Sequence, residues 1–271
     1  MSCWLGKQTH FFFVLTVVAA VACAGSNKAI ANFVIVAFGD STTALRPTVP
    51  QVYAQILQDQ LPGALDDAVA VYNAGIGGNN SYDATLRLSA DVRSRNPNLV
   101  IVQFGINDSW VDSGMQGAAS RVAINAAAQT GHPYAFRGNY TSNLSAIVNT
   151  LKSDGARVIL MTPNQLQTTG TGAEAVWRND RLGEYAQVVR NVAASTHVEL
   201  LDVWKMYSDF AAAHGSVNAL LVDSQHPGQA GHQLVADGLT SMIVPEPGTC
   251  CLLLPAGLGA LAFHRLRRWS L

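Results

Sequence analysis

Phe33-Val34-Ile35-Val36-Ala37-Phe38-Gly39-Asp40-Ser41 is the stretch on which the fold turns. Six apolar residues run without a polar interruption and stop at a glycine. A strand with one wet face would alternate, so an unbroken run of this length reads as a strand covered on both sides, in the middle of a parallel sheet. Val69 to Asn73 and Leu99 to Phe104 look alike, and Arg157 to Met161 and Val198 to Val203 complete a set of five. Between them lie segments of helical pattern, at about 50–60, 81–95, 140–153, 175–195 and 228–243. Strand and helix in strict alternation predict an α/β chain. The expected fold is a three-layer α/β/α sandwich around a five-stranded parallel sheet of flavodoxin-like order. In such folds ligands bind outside the carboxyl ends of the strands.

Polar, chemistry-bearing residues gather just after those ends. Gly39-Asp40-Ser41 follows the first strand, Asn73-Ala74-Gly75-Ile76-Gly77-Gly78 the second and Gly105-Ile106-Asn107-Asp108 the third, while Asp223-Ser224-Gln225-His226 precedes the last helix. Ser41 is expected where a strand turns toward a helix, its hydroxyl exposed near the helix's positive end. Taken alone, Asp40-Ser41 reads equally well as a helix cap. The glycines of the second motif let backbone N–H groups approach an incoming carbonyl oxygen, and Gly78 rather than Gly77 is the expected donor. Alone, that motif is a glycine-rich turn. Asn107 can aim its amide at the same oxygen, whereas Asp108 suits the holding of loop backbone. Trp110 reads either as a pocket wall or as packing beneath a loop.

His226 supplies a base that titrates near neutrality, and Asp223, three residues earlier, can bond the second ring nitrogen. Pro227 and Gly228 supply a turn that presents the histidine. His132, His197 and His214 have no such companion, and His232 reads as surface or packing. Together, Ser41, Gly78, Asn107, Asp223 and His226 are the parts needed to cleave an ester through an acyl-serine. A stretch from about Val111 to Arg137, rich in Ala and Gly, reads as a lid or binding loop, with 118–129 alternatively a short helix.

In this order the motifs resemble the SGNH hydrolases, also called the GDSL esterase and lipase family, over about residues 33–243. The resemblance implies that Ser41 is the nucleophile and Asp223 and His226 its partners. It also implies an oxyanion hole of the Ser41 and Gly78 N–H groups with the Asn107 amide. Carboxylic ester hydrolysis without metal or organic cofactor follows. Two departures stand out. Gly39-Asp40-Ser41-Thr42 lacks the leucine that names the family, and Asn79-Asn80 replaces a common acidic residue and threonine, which implies an altered pocket rim. The compact single-domain members, lysophospholipase-like and carbohydrate-esterase types, look most similar.

The ends have a different grammar. In residues 1–31, Lys7 and the apolar Phe11 to Ala24 read as a secretory signal, with small-x-small sites at Ala22-Cys23-Ala24 and, preferred, at Ala29-Ile30-Ala31. Ala20 stands where a lipoprotein reading of Cys23 would want a branched aliphatic. In residues 244–271, Pro245-Glu246-Pro247 precedes an apolar run from Thr249 to Phe263 and the basic Arg265, Arg267 and Arg268. This resembles a PEP-CTERM sorting signal, which implies an exosortase-like processing protease and a Gram-negative-type cell. A plain tail anchor is the alternative. The expected mature domain is 32–243, exported to the periplasm, the cell surface or the medium, and touching membrane only through the terminal segments.

That domain holds 12 basic and 17 acidic residues, which gives no electrostatic case for nucleic acid. The cysteines, Cys3, Cys23, Cys250 and Cys251, all fall outside it, so its fold needs no disulfide or cysteine-bound metal. The expected substrate is a small ester or an acylated glycan, with acetyl the favoured acyl group. A lysophospholipase or thioesterase, an acyltransferase using the same residues, and a surface glycan-binding protein without catalysis are the alternatives.

Overall fold

The computed structural model describes residues 33–65, 68–111, 140–167 and 173–244, with backbone alone at 110–111 and 173–177. The signal-like and sorting-like ends, most of the 111–137 stretch and His132 lie outside the described residues.

Five parallel strands form one sheet: β1 (Phe33–Gly39), β2 (Val69–Gly75), β3 (Leu99–Gln103), β4 (Arg157–Met161) and β5 (Glu199–Leu201). Their order is β2-β1-β3-β4-β5, with Gly39 in register with Gly75 on one side and Gln103 on the other. The flavodoxin-like expectation holds. After β1 the chain moves to one side for β2 and to the other for β3, so the connections diverge and leave a crevice above β1.

Alternate residues of β1 feed two separate cores. Ile35 and Ala37 pack with Leu99, Ile101, Ile159 and Met161 against α1 (Tyr53–Leu65), α6 (Val203–His214) and α7 (Gln229–Ile243). Val36 and Phe38 pack with Val100, Val102 and Leu160 against α2 (Ser81–Asp91), α4 (Tyr140–Ser153) and α5 (Ala173–Thr196). This two-sided cover is why β1 and β3 carry no polar residue before their ends.

Three local readings are corrected. No helix begins at Ser41: residues 41–43 make a single turn, closed by Ala44 N–H to the Asp40 carbonyl at 3.0 Å, and α1 starts only at Tyr53. Pro47 and Pro50 stand between, and the residue before a proline is biased away from helix. A short helix, α3 (Ile106–Val111), follows β3, where no helical segment was expected. The fifth strand is shorter than expected, because Asp202 caps α6 by accepting the Lys205 N–H at 3.1 Å. Among the described residues, no helix is long and apolar enough to cross a membrane.

Candidate active site

Asp40 and Ser41 divide the two readings of their motif between them. Asp40, 1% exposed, accepts both the N–H and the hydroxyl of Thr42 at 2.8 Å and so caps the turn. Ser41 is left with its hydroxyl directed out of the turn. Its Oγ lies 2.9 Å from Nε2 of His226, across 185 residues of chain. The opposite ring nitrogen, Nδ1, lies 2.8 Å from Oδ2 and 3.0 Å from Oδ1 of Asp223. Gly39 allows this close turn. A Cβ there would meet Thr43 Oγ1 at 2.1 Å and the Gln103 carbonyl at 2.9 Å.

The loop that carries the pair folds back on itself. Asp223 Oδ1 accepts the N–H groups of Gln225 at 2.9 Å and His226 at 2.8 Å. Val222 and His226 then close a turn through the Val222 N–H to the His226 carbonyl, 2.9 Å. Asn164, fully buried, holds this loop from beneath by donating to the Gln225 carbonyl at 3.0 Å, and Gln167 N–H reaches the Ser224 carbonyl at 2.9 Å. The Gln225 amide nitrogen also lies 3.4 Å from His226 Nε2, a weaker contact than that of Ser41.

Burial dominates the His226 shift and lowers its pKa below the usual 6.5. Arg46 pushes the same way, against the bond to Asp223. Burial alone would raise Asp223, but the two backbone N–H bonds and the histidine outweigh it and hold the carboxyl below the usual range. Arg46 Nη1 stands 3.7 Å from the same carboxylate. At neutral pH the imidazole is therefore neutral beside an ionised aspartate, the state in which Nδ1 carries the proton and Nε2 can accept one.

On the other flank, Asn73 ties β2 to the serine turn, donating to the Thr43 carbonyl at 2.7 Å and accepting the Gly75 N–H at 2.9 Å. A Cβ at Gly77 would sit 3.8 Å from the Ser41 Cβ, so this loop runs alongside the serine. Gly78 has φ +80°, a left-handed conformation costly for other residues. Asn107 donates one amide hydrogen to the Asn79 carbonyl at 2.8 Å, which fixes the side chain and leaves it a second hydrogen. Asp108 accepts the Ser81 hydroxyl at 2.6 Å and its N–H at 3.1 Å, tying β3's exit to the start of α2. Burial pushes the Asp108 carboxyl up to about 7 and that of Asp40 to about 6.

The Asn79-Asn80 departure is absorbed inside the fold rather than at the rim. Asn80, 5% exposed, caps α2 by accepting from Tyr82 and Asp83, and Asn79 Oδ1 takes a bond from Arg87. His232 is not on the surface: it is 2% exposed, and Nδ1 accepts the Tyr53 N–H at 3.2 Å. Burial lowers its pKa to about 4, so it packs as a neutral ring. The side chain of Trp110 lies outside the described residues. Sequence reasoning named Asn73 as the opening of its motif but gave it no role of its own, and it passed over Asn164, Arg46 and Arg87.

A family model for GDSL-like lipases and acylhydrolases matches residues 37–234. The chain belongs to that family. This GDSL-family chain is 26% identical to an acetylxylan esterase of Geobacillus stearothermophilus, over 62% of its own length and 69% of the relative's. It is also 26% identical to the human isoamyl acetate-hydrolyzing esterase 1 homolog, over 88% of its length and 92% of that protein. A crystal structure of the Geobacillus acetylxylan esterase superposes with a TM-score of 0.62 at 23% identity, covering 80% of this chain and 97% of that one, which bears on fold alone. As a GDSL-family member the protein is a carboxylic ester hydrolase.

Proposed function

We propose that the protein is an exported serine esterase that removes short acyl groups, acetyl above all, from carbohydrate. The observation that carries the reading is the unbroken chain Ser41 Oγ to His226 Nε2 (2.9 Å) and His226 Nδ1 to Asp223 Oδ2 (2.8 Å). In this reading His226 takes the Ser41 proton as Oγ attacks the ester carbonyl. The oxyanion is held by the backbone N–H groups of Ser41 and Gly78 and the free amide hydrogen of Asn107. Collapse of the tetrahedral intermediate expels the alcohol, protonated by His226, and leaves acyl-Ser41. A water then repeats the sequence, giving its proton to His226, and carboxylate and serine are released. Asp223 holds the tautomer and stabilises the imidazolium.

Acetyl as the acyl group is supported by two relatives whose names specify acetate esters. Carbohydrate as the carrier is supported by the acetylxylan esterase and by the sorting-like tail with its Pro245-Glu246-Pro247 motif. Export rests on the signal-like residues 1–31, and an exosortase-like protease is the proposed processing partner at 244–271. A fluorophosphonate probe should label Ser41 in the purified protein. Acetate release from acetylated xylooligosaccharides should exceed hydrolysis of p-nitrophenyl palmitate. Failure to label would favour the glycan-binding alternative, and preference for the long chain would favour a lipolytic one.

A further inference from the structure

Arg87 sits on α2, outside every motif that carries the proposed chemistry, yet its side chain is turned inward and only 12% exposed. Its donors spread in one plane to three segments. Nε donates to Asn79 Oδ1 at 2.6 Å, Nη1 to the Ala74 carbonyl at 2.8 Å and Nη2 to the Gly39 carbonyl at 2.7 Å. Nη1 also bonds Asp91, one turn along α2, at 3.0 Å. The guanidinium carbon lies 4.5 Å from the ring centroid of Phe38 and 5.9 Å from that of Phe104.

The bonded groups are not arbitrary. Gly39 stands two residues before Ser41, Ala74 opens the glycine loop and Asn79 follows Gly78 directly. The Asn79 carbonyl in turn fixes the Asn107 amide at 2.8 Å. Each of the three proposed oxyanion donors thus hangs from a segment bonded to Arg87 directly or through Asn79. A surface arginine paired with Asp91 alone would be a minor i,i+4 helix pair. Here two of the acceptors are backbone carbonyls at the ends of neighbouring strands, Ala74 and Gly39, the latter also taking the Ile76 N–H at 3.1 Å, so the guanidinium joins segments that the sheet alone leaves at its edge. Only a guanidinium presents donors in three fixed directions, and an ammonium of similar length cannot meet all three at once.

We propose that Arg87 is the positioning residue of the oxyanion hole, setting the spacing between the Ser41 turn, the Gly78 N–H and the Asn107 amide. The proposal rests on the serine-esterase reading above. Misplacing donors by a fraction of an ångström weakens an interaction made only in the transition state, so the loss falls on kcat rather than KM.

The test measures kcat and KM on p-nitrophenyl acetate for Arg87→Lys, Arg87→Met and Asn79→Ala, alone and combined with Asn107→Ala, with melting temperature as the fold check. Losing the hole's alignment should lower kcat by about 10²- to 10³-fold in Arg87→Met, less in Arg87→Lys, and about tenfold in Asn79→Ala, each with KM within about threefold. In the Asn107→Ala background Asn79→Ala should cost under about twofold, because the amide it positions is gone, and Arg87→Met should cost clearly less than alone, its remaining loss falling on the Ser41 and Gly78 donors. The Asn79→Ala variant, which removes a single contact, carries the test if Arg87→Met does not fold. Folded Arg87 variants with near wild-type kcat, or losses fully additive with Asn107→Ala, would overturn the proposal. Ser41→Ala separates the two readings: if it is inactive while the Arg87 variants are normal, only the positioning role is lost; if it is active, the serine mechanism itself fails.

Discussion

Replacing Asp223 by asparagine should be worse for turnover than replacing it by alanine, although asparagine keeps the shape. Oδ1 of Asp223 accepts two backbone N–H groups, from Gln225 and His226, and Oδ2 faces Nδ1 of His226 at 2.8 Å. In Asp223→Asn the amide oxygen must take the Oδ1 position, or an NH₂ would confront those two donors. The NH₂ then points at Nδ1, which has to accept, and the ring proton moves to Nε2. A protonated Nε2 cannot take the Ser41 proton. Reaching the productive tautomer requires turning the amide over and losing both backbone bonds, at about 0.5–1.5 kcal/mol each before the clash of donors is counted. The charge-assisted bond to the imidazolium is lost as well, about 1.5–3 kcal/mol. The side chain is 43% exposed, so solvent trims the total toward about 4 kcal/mol, or about 10³-fold in kcat/KM. Alanine gives no tautomer instruction and admits water, so its loss should be several-fold smaller, with a small drop in melting temperature from the freed N–H groups. The assay is kcat/KM on p-nitrophenyl acetate at pH 8, with Ser41→Ala as the background. An Asp223→Asn enzyme within tenfold of wild type, or clearly faster than Asp223→Ala, would refute the tautomer argument.

Ser41→Ala should lose all turnover above background while melting within about 2 °C of wild type, because among the described residues its hydroxyl bonds only His226; melting curves and product release check both halves. The acid limb of kcat/KM against pH should have its midpoint below 6.5, because burial and Arg46 both disfavour the imidazolium. Arg46→Gln should move that midpoint upward, and an unmoved limb would sever Arg46 from the base. Asp108 titrates at about 7 in the fold against 3.8 unfolded, so the native state holds its proton more tightly between those values. That contribution to stability is largest at low pH and falls as pH rises to about 7, by up to about 1.4 kcal/mol per pH unit. Asp108→Asn, which lacks it, should gain on wild type between pH 4.5 and 8 in urea midpoints, and an equal gap at both pH values would contradict the burial of that carboxyl.

The parallel sheet was legible because its central strands β1 and β3 are buried on both faces: Ile35 and Ala37 need one core, Val36 and Phe38 the other, and no polar residue interrupts either strand before its end. The same geometry made the candidate site legible, since Ser41, Gly78, Asn107 and His226 all follow the points where burial is relaxed. What sequence concealed is of another kind. Asp202 looked like the end of a strand because its capping of α6 depends on one side-chain bond to Lys205, which no periodicity announces. His232 left open whether it faced solvent or packed; α7 buries it, and the Tyr53 N–H satisfies its ring at 3.2 Å. Asn164 and Arg87 hold the two flanks of the site from positions 61 and 48 residues distant from the carbonyls they bond. The carbonyls they bond are backbone oxygens, which every residue possesses, so those contacts leave no mark in sequence. A motif reveals the side chains that meet the substrate, because chemistry restricts their type. The groups that set spacing among those side chains are restricted only by reach and by donor direction, and these exist only once the sheet has brought β1, β2 and β3 side by side.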